Sequence, residues 1–251
     1  MRTLVLAGND LRRFFVQPTP WVLLAALLAL LAYFFLLSLD AYLRLMPKLA
    51  GLPDAPGVTD LVVLPSLRAL ASLLLIVVPL TGMRAIAGER QAGTLPLLIA
   101  SGVGDVGLVL GKFLSLAVFF GVTVALALAI PLSLEWGTSL DLGRLGAAGL
   151  GLVLFAGALA AIALAVSSFA AQPLAAAGMA LILDLALWMA DAGARYEGVS
   201  SSFLNYLALP THLEPFLHGV VASVDVVYFV LLAAVALALA ARRVGALRGS
   251  G

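Results

Sequence analysis

Two ionisable residues stand inside long apolar runs of this sequence. Arg68 interrupts the run Leu61–Met83, and Asp184 lies within an apolar segment spanning residues 174–190. A charge at the centre of a bilayer costs roughly 2.5–3.5 kcal/mol on insertion scales, so such side chains usually face protein or water. Three interpretations remain open: the two side chains form an ion pair, they line a substrate path, or Arg68 extends to the surface while Asp184 is protonated. Our hypothesis is that they pair.

Few other residues offer catalytic or metal chemistry. His212 and His218 are six residues apart and do not share one helical face, so ordinary hydrogen bonds are favoured over a metal site. Without cysteine, the chain has no disulfide, thiolate zinc site or thiol nucleophile. An intramembrane protease or lipid-modifying transferase would need a metal-ligand set, or paired acids and histidines, within the apolar runs. We therefore expect no catalytic residue, no metal and no cofactor.

Two nucleotide-binding patterns occur in unsuitable contexts. Gly102–Gly107 spells G-x-G-x-x-G, but a dinucleotide site needs that string after a β-strand in a βαβ unit. Gly107–Lys112 resembles a Walker A loop, yet its glycines are one residue too close and Phe113 replaces the Ser or Thr that binds Mg²⁺. We expect that this chain does not bind ATP.

The composition indicates an integral membrane protein. Of the 251 residues, 63% are hydrophobic and 11% are charged, and the mean hydropathy is +1.16. Soluble domains are roughly 45–50% apolar and about 25% charged. The net charge of +1 provides no basic patch for nucleic acid. A soluble enzyme, a nucleic-acid-binding protein and a secreted disulfide scaffold are therefore all disfavoured.

Apolar runs of sufficient length predict six transmembrane helices, since a bilayer core needs about 20 helical residues. The predicted spans are 21–39, 61–83, 113–134, 145–166, 174–190 and 221–241. We predict one all-α domain over residues 1–251, with an amphipathic interfacial helix in residues 1–18. In the outer loop 191–220 we predict short helices at the interface over an exit path. Gly146, Gly149 and Gly151 would permit close packing, within the subunit or at a dimer seam.

The basic residues predict the orientation. If both termini are cytoplasmic, the inner segments hold nine basic residues and the outer loops hold four, as the positive-inside rule requires. The inner residues are Arg2, Arg12, Arg13, Arg84, Arg90, Lys112, Arg242, Arg243 and Arg248, and the outer ones are Arg44, Lys48, Arg144 and Arg195. We expect a multi-pass protein of a bacterial-type inner membrane with both termini cytoplasmic.

The cytoplasmic loop of residues 84–102, between spans two and three, is the most informative stretch. Thr94 is suited to cap a helix, and Pro96 is tolerated in a first turn. Leu95, Leu98 and Ile99 would then share one apolar face. The pattern predicts either an amphipathic helix that docks into a partner's groove or a surface helix that merely turns the chain.

From Pro79 to Leu116 the sequence resembles permease subunits of ABC type-2 transporters. The family pattern is an acidic–basic pair, then Gly-Thr-Leu, a leucine-rich turn and Gly-Lys opening the third span. Glu89-Arg90, Gly93-Thr94-Leu95 and Gly111-Lys112 occupy these positions. The closest likeness is to the gliding-motility branch, which Asp141, the run Ser167–Gln172 and the segment His212–Phe229 also resemble.

The resemblance implies a permease that moves substrate, most readily outward, when a separate ATPase subunit hydrolyses ATP. It implies that the loop 84–102 is the coupling helix, two ATPase copies bind, and a second permease copy completes the pathway in a homodimer, or alternatively a heterodimer. The residues implied to contact the ATPase are Arg84, Glu89, Arg90, Gly93, Thr94, Leu95 and Leu98.

Two departures and two alternatives accompany this interpretation. Pro96 stands where relatives often have Glu, and Gly102 and Asp105 replace a proline and a basic residue, so the altered charge predicts a cognate ATPase. The alternatives are a secondary transporter and a membrane subunit that transmits force or signal without moving solute. Nothing in the spans specifies the substrate.

Overall fold

Every described element of the chain is a helix. The computed structural model describes residues 2–49, 57–100, 104–138, 140–191 and 202–249. The α-helices are α1 (Arg2–Val16), α2 (Pro18–Leu49), α3 (Leu64–Gly82), α4 (Ala87–Gln91), α5 (Leu95–Ala100), α6 (Asp105–Leu132), α7 (Leu142–Phe169), α8 (Pro173–Trp188), α9 (Ser202–Leu207), α10 (Leu209–Leu217) and α11 (Ser223–Gly249). A π-helical turn, Thr59–Val63, leads into α3, and a 3₁₀ turn, Ser133–Trp136, follows α6.

Five helical stretches in the described residues are long and apolar enough to cross a membrane. They are Pro18–Lys48, Thr59–Gln91, Asp105–Trp136, Leu142–Phe169 and Ser223–Arg248. The fifth predicted span, 174–190, corresponds to α8, whose 16 residues rise about 24 Å, less than a hydrocarbon core of about 30 Å. The predicted break before it is confirmed, because α7 ends at Phe169 and Pro173 opens α8.

The helix that contains the first predicted span extends beyond it. The apolar run ends at Leu39, before the charge of Asp40, but α2 continues to Leu49. Asp40 and Arg44 lie one turn apart and form an exposed 2.9 Å ion pair along the helix. Charge at position 40 therefore ends the apolar run without ending the helix, since paired charges are compatible with helical backbone.

Helix α7 lies at the centre of the bundle and packs against α3, α6, α8, α10 and α11. Its small residues permit this. A β-carbon at Gly149 would lie 2.8 Å from Leu128 Cδ1, and one at Gly151 would lie 2.4 Å from Phe216 Cβ. A β-carbon at Gly82 of α3 would lie 2.8 Å from Ala163 Cβ. The three glycines therefore allow neighbouring helices to approach α7 closely.

Helix α10 is part of the core. Leu209, Leu213, Phe216 and Leu217 are each at most 2% exposed and belong to the same apolar cluster as the centre of α7. The short helices expected in the outer loop include α10, whose apolar face is buried between the long helices, and their position at the interface over an exit path stays a prediction. Residues 192–201 of the predicted outer loop lie outside the described residues.

Arg144, near the start of α7, joins three elements at one end of the bundle. Its guanidinium donates to Asp60 at 2.7 Å and to the Leu217 carbonyl at 3.1 Å, and it lies 3.3 Å from His218 Nδ1. The side chain of Asp141 caps α7 by accepting the Arg144 amide. The beginnings of α3 and α7 and the end of α10 therefore meet at this end.

At the opposite end, ion pairs bring together the first and last helices. Asp10 of α1 pairs with Lys112 near the start of α6, and Arg248 of α11 pairs with Asp105 at the first residue of α6. The N-terminal helix and the end of α11 therefore lie at the same end of the bundle.

Candidate functional site

The candidate site is the segment of residues 84–100 between α3 and α6, here called the docking segment. It contains α4 and α5, joined by Ala92–Thr94. Gly93 has φ +69°, its amide bonds the Arg90 carbonyl, and the Thr94 amide bonds the Glu89 carbonyl. This pair of bonds is a Schellman motif, which needs a left-handed residue and so favours glycine.

A buried cluster of charges fixes α4 to two other helices. Lys112 is 4% exposed, and its ammonium lies 2.6 Å from Glu89 Oε1 and 3.2 Å from Asp10 Oδ2. The two carboxylates are themselves only 11% and 13% exposed. A buried lysine needs such partners, because an uncompensated charge in this environment is costly. The cluster therefore joins α1, α4 and α6.

The residue before Lys112 explains how α1 can come so close. A β-carbon at Gly111 would lie 3.1 Å from the Thr3 carbonyl oxygen and 3.1 Å from Leu6 Cδ2. Gly111 thus permits α1 to pack directly on α6. Both residues of the Gly-Lys pair therefore contact α1: the glycine leaves space for the helix, and the lysine pairs with Asp10 of α1.

Ser167, in the last turn of α7, holds the beginning of the docking segment. Its hydroxyl accepts from the amides of Ile86 at 3.1 Å and Ala87 at 3.0 Å, and it donates to the Met83 carbonyl at 2.9 Å. One fully buried side chain therefore satisfies three backbone groups of the turn between α3 and α4.

Apolar contacts anchor the docking segment at two further points. Ile86 and Leu95 are 0% and 5% exposed and join a cluster formed by α6, α7 and α11. Ala87 packs against Ala170 and Ala176 at the break between α7 and α8. Movement of the docking segment would therefore act directly on the ends of several long helices.

The seven residues predicted to contact a partner divide into two sets. Arg84, Arg90, Gly93 and Thr94 are exposed, and Leu98 is half-buried. The side chains of Glu89 and Leu95, by contrast, face the charge cluster and the core.

The predicted apolar face of α5 is only partly correct. Leu97, which does not belong to the predicted apolar face, is 72% exposed, whereas Leu95 is buried. Helical spacing places Leu95 and Leu97 on opposite faces of α5, but it does not decide which of the two faces points outward. The side chain of Ile99 lies outside the described part of the structure.

The hypothesis that Arg68 pairs with Asp184 is wrong. Arg68 donates two 2.9 Å hydrogen bonds to the carboxylate of Glu214 in α10. Asp184 is 0% exposed, and neither carboxyl oxygen has a hydrogen-bond partner among the described residues. Glu214 does not emerge from the sequence as the partner of Arg68, because it lies in the predicted outer loop 191–220 and not in an apolar run.

The two histidines are held by hydrogen bonds. The ring nitrogens of His212 lie 2.7 Å from Asp225 Oδ1 and 2.8 Å from the Tyr206 carbonyl, and its ring stacks on Tyr228. His218 lies 3.3 Å from Arg144 and 3.5 Å from Glu214. Among the described residues, no group of three or more potential ligands could hold a metal ion.

Comparison with known proteins assigns the chain to a family. Residues 55–241, which are 187 of the 251 residues, match the family model described as ABC-2 family transporter protein. No curated protein matches the chain. The matched region includes α3 to α10, the whole docking segment and most of α11.

Proposed function

The chain belongs to the ABC-2 transporter family and is a membrane subunit of that kind, and from this premise we propose that it is the permease of an ATP-driven exporter. A separate ATPase subunit hydrolyses ATP and pushes on the docking segment. This chain performs no catalysis and binds no cofactor. Within the family, we propose the gliding-motility branch on the motifs given above.

The observation that carries the proposal is the two-sided character of the docking segment. Its inner side is fixed through Lys112, Ser167 and Leu95 to α1, α6 and α7. Its outer side presents Arg90 and Leu97. A segment with a free outer face and a fixed inner face can transmit displacement from a partner to the long helices.

We assign direct ATPase contact to the exposed residues Arg90, Gly93, Thr94 and Leu97, together with the half-buried Leu98. Glu89 and Leu95 then act indirectly, by holding the segment in place, and Arg84 lies on the side that faces α1. Because the pattern departs from the family at Pro96, we propose that the ATPase is a cognate one.

The remaining proposals, on copy number and orientation, rest on what the resemblance to the family implies. Two permease copies, most simply identical, bind two ATPase copies, since one subunit supplies half a pathway. We propose that α8 also crosses the membrane and brings the number of spans to six. We further propose that α1 lies at the membrane interface and that both termini face the cytoplasm of a bacterial-type inner membrane. The positive-inside bias of nine basic residues against four supports this orientation.

The test is to co-express the chain with its candidate ATPase subunit and to measure association and ATP hydrolysis. We expect Arg90→Glu with Leu97→Asp to reduce both at least tenfold, because charge replaces an apolar contact and a cation becomes an anion at the interface. The matched control is Arg12→Glu, which reverses an exposed basic residue of α1 outside the docking segment.

Three results would contradict the proposal. Unchanged ATPase association in the double variant would remove the docking segment from the interface. Solute movement without any ATPase would favour a secondary transporter, and ATPase association without solute movement would favour a force- or signal-transmitting subunit.

A further inference from the structure

A cleft of about 450 Å³ lies beside the docking segment, between α1, the start of α2, the end of α3, α4 and α6. Its volume is within the range of about 300–1,000 Å³ that accommodates small organic ligands. The long helices contribute apolar side chains to it, namely Leu23, Leu80 and Leu116. Helix α1, the turn before α4, α4 itself and α6 contribute charged ones, so the lining of the cleft is both apolar and charged.

The charges that line the cleft are unbalanced. Three cations, Arg13, Arg84 and Lys112, face two carboxylates, Asp10 and Glu89, which gives a net charge of +1. Lys112 already pairs with both carboxylates. Arg13 and Arg84 are exposed, and neither has an ion pair within 4 Å among the described residues. The cleft therefore has a net charge of +1 and two guanidinium groups whose donors are available to a ligand.

We propose that this cleft binds one anionic phospholipid from the leaflet at the α1 end of the bundle. Arg13 and Arg84 bind the phosphodiester, since guanidinium groups donate paired hydrogen bonds to phosphate oxygens. The first carbons of the acyl chains lie against Leu23, Leu80 and Leu116. A soluble phosphate would leave these three leucines uncovered, which is why a lipid fits the lining better.

The proposed lipid has a structural consequence for the docking segment. Arg13 lies on α1 and Arg84 precedes α4, so one phosphate would join the same two elements that Lys112 joins from the other side. This role goes beyond the proposed function and does not depend on it, because it requires no ATPase and no transported substrate.

The experiment titrates the purified full chain, in detergent, with phosphatidylglycerol or phosphatidylcholine of equal chain length, and counts bound lipid by native mass spectrometry. We expect phosphatidylglycerol to bind at least tenfold more tightly, because basic residues near a membrane surface attract anionic lipid. Arg13→Gln with Arg84→Gln should abolish that preference. The matched control, Arg12→Gln with Arg90→Gln, removes two exposed arginines that do not line the cleft and should retain it.

Three outcomes would overturn the proposal. Equal loss in both double variants would indicate general surface attraction. Equal binding of the two lipids would remove the anionic specificity, and displacement of the lipid by glycerol phosphate at the same concentration would assign the site to a soluble phosphate. Circular dichroism of each variant verifies that its helical content is unchanged. If a glutamine variant is misfolded, the test uses Arg13→Lys with Arg84→Lys, which keeps the charge and should retain most of the preference for phosphatidylglycerol.

Discussion

Arg68 of α3 and Glu214 of α10 are 146 residues apart and meet through two 2.9 Å hydrogen bonds. The fork of the guanidinium is matched to the two carboxylate oxygens, which is the favourable geometry for such a pair. Both side chains remain partly exposed, 47% and 40%, so the pair is held in position without complete burial. It fixes α10 against α3.

The Arg68–Glu214 pair predicts a measurable coupling energy. We expect Arg68→Gln and Glu214→Gln each to destabilise the chain by about 1 kcal/mol, and the double variant to cost little more than either one, because an exposed pair is worth only about that much. Thermal unfolding in detergent measures this. The control cycle pairs Arg68→Gln with Asp184→Asn, which should be additive. Coupling in the second cycle and none in the first would restore the Arg68–Asp184 hypothesis.

Lys112 predicts the largest single loss of stability at the docking segment. Lys112→Met leaves two buried carboxylates, those of Asp10 and Glu89, without their cation, and we expect a cost of about 3 kcal/mol. Neutralising both acids in the same chain, by Asp10→Asn and Glu89→Gln, should recover most of that loss in thermal unfolding. A triple variant as unstable as Lys112→Met would show that the lysine acts through packing instead of charge.

Ser167 predicts a local change at the start of α4. Ser167→Ala deprives the amides of Ile86 and Ala87 of their acceptor, so we expect both to exchange hydrogen faster and the chain to lose about 1–3 kcal/mol. Hydrogen exchange followed by mass spectrometry detects this change. Ser168→Ala is the matched control, since among the described residues the Ser168 hydroxyl bonds the Ala165 carbonyl of its own helix, and its peptide should exchange normally.

Gly151 predicts a steric effect in the core. Gly151→Ala places a β-carbon 2.4 Å from Phe216 Cβ, and we expect about 1–3 kcal/mol of destabilisation with displacement of α10. Gly157→Ala, in the same helix and with nothing within 4 Å of the added carbon, should be neutral or stabilising. If the two variants unfold at the same temperature, Gly151 is not required for the close packing of α10 on α7.

Apolar run length and charge placement were sufficient to predict an all-helical membrane fold, because burial in a bilayer requires long helices whatever their neighbours are. The pair Gly111-Lys112 and the segment around Gly93 were selected through the resemblance to the permease family, and their part in coupling stays a prediction. The break between α7 and α8 was visible in Gln172 and Pro173, because proline ends a helix.

Partners that are distant in sequence were decided only by the tertiary structure. Sequence spacing says how deep Arg68 and Asp184 lie, but an ion pair depends on which helices are neighbours, and α10 is the helix that brings Glu214 to Arg68. Whether Leu95 or Leu97 faces outward depends likewise on how the short α5 is rotated against α6, α7 and α11. Composition determines the environment of this chain, whereas helix packing determines which of its few polar side chains meet.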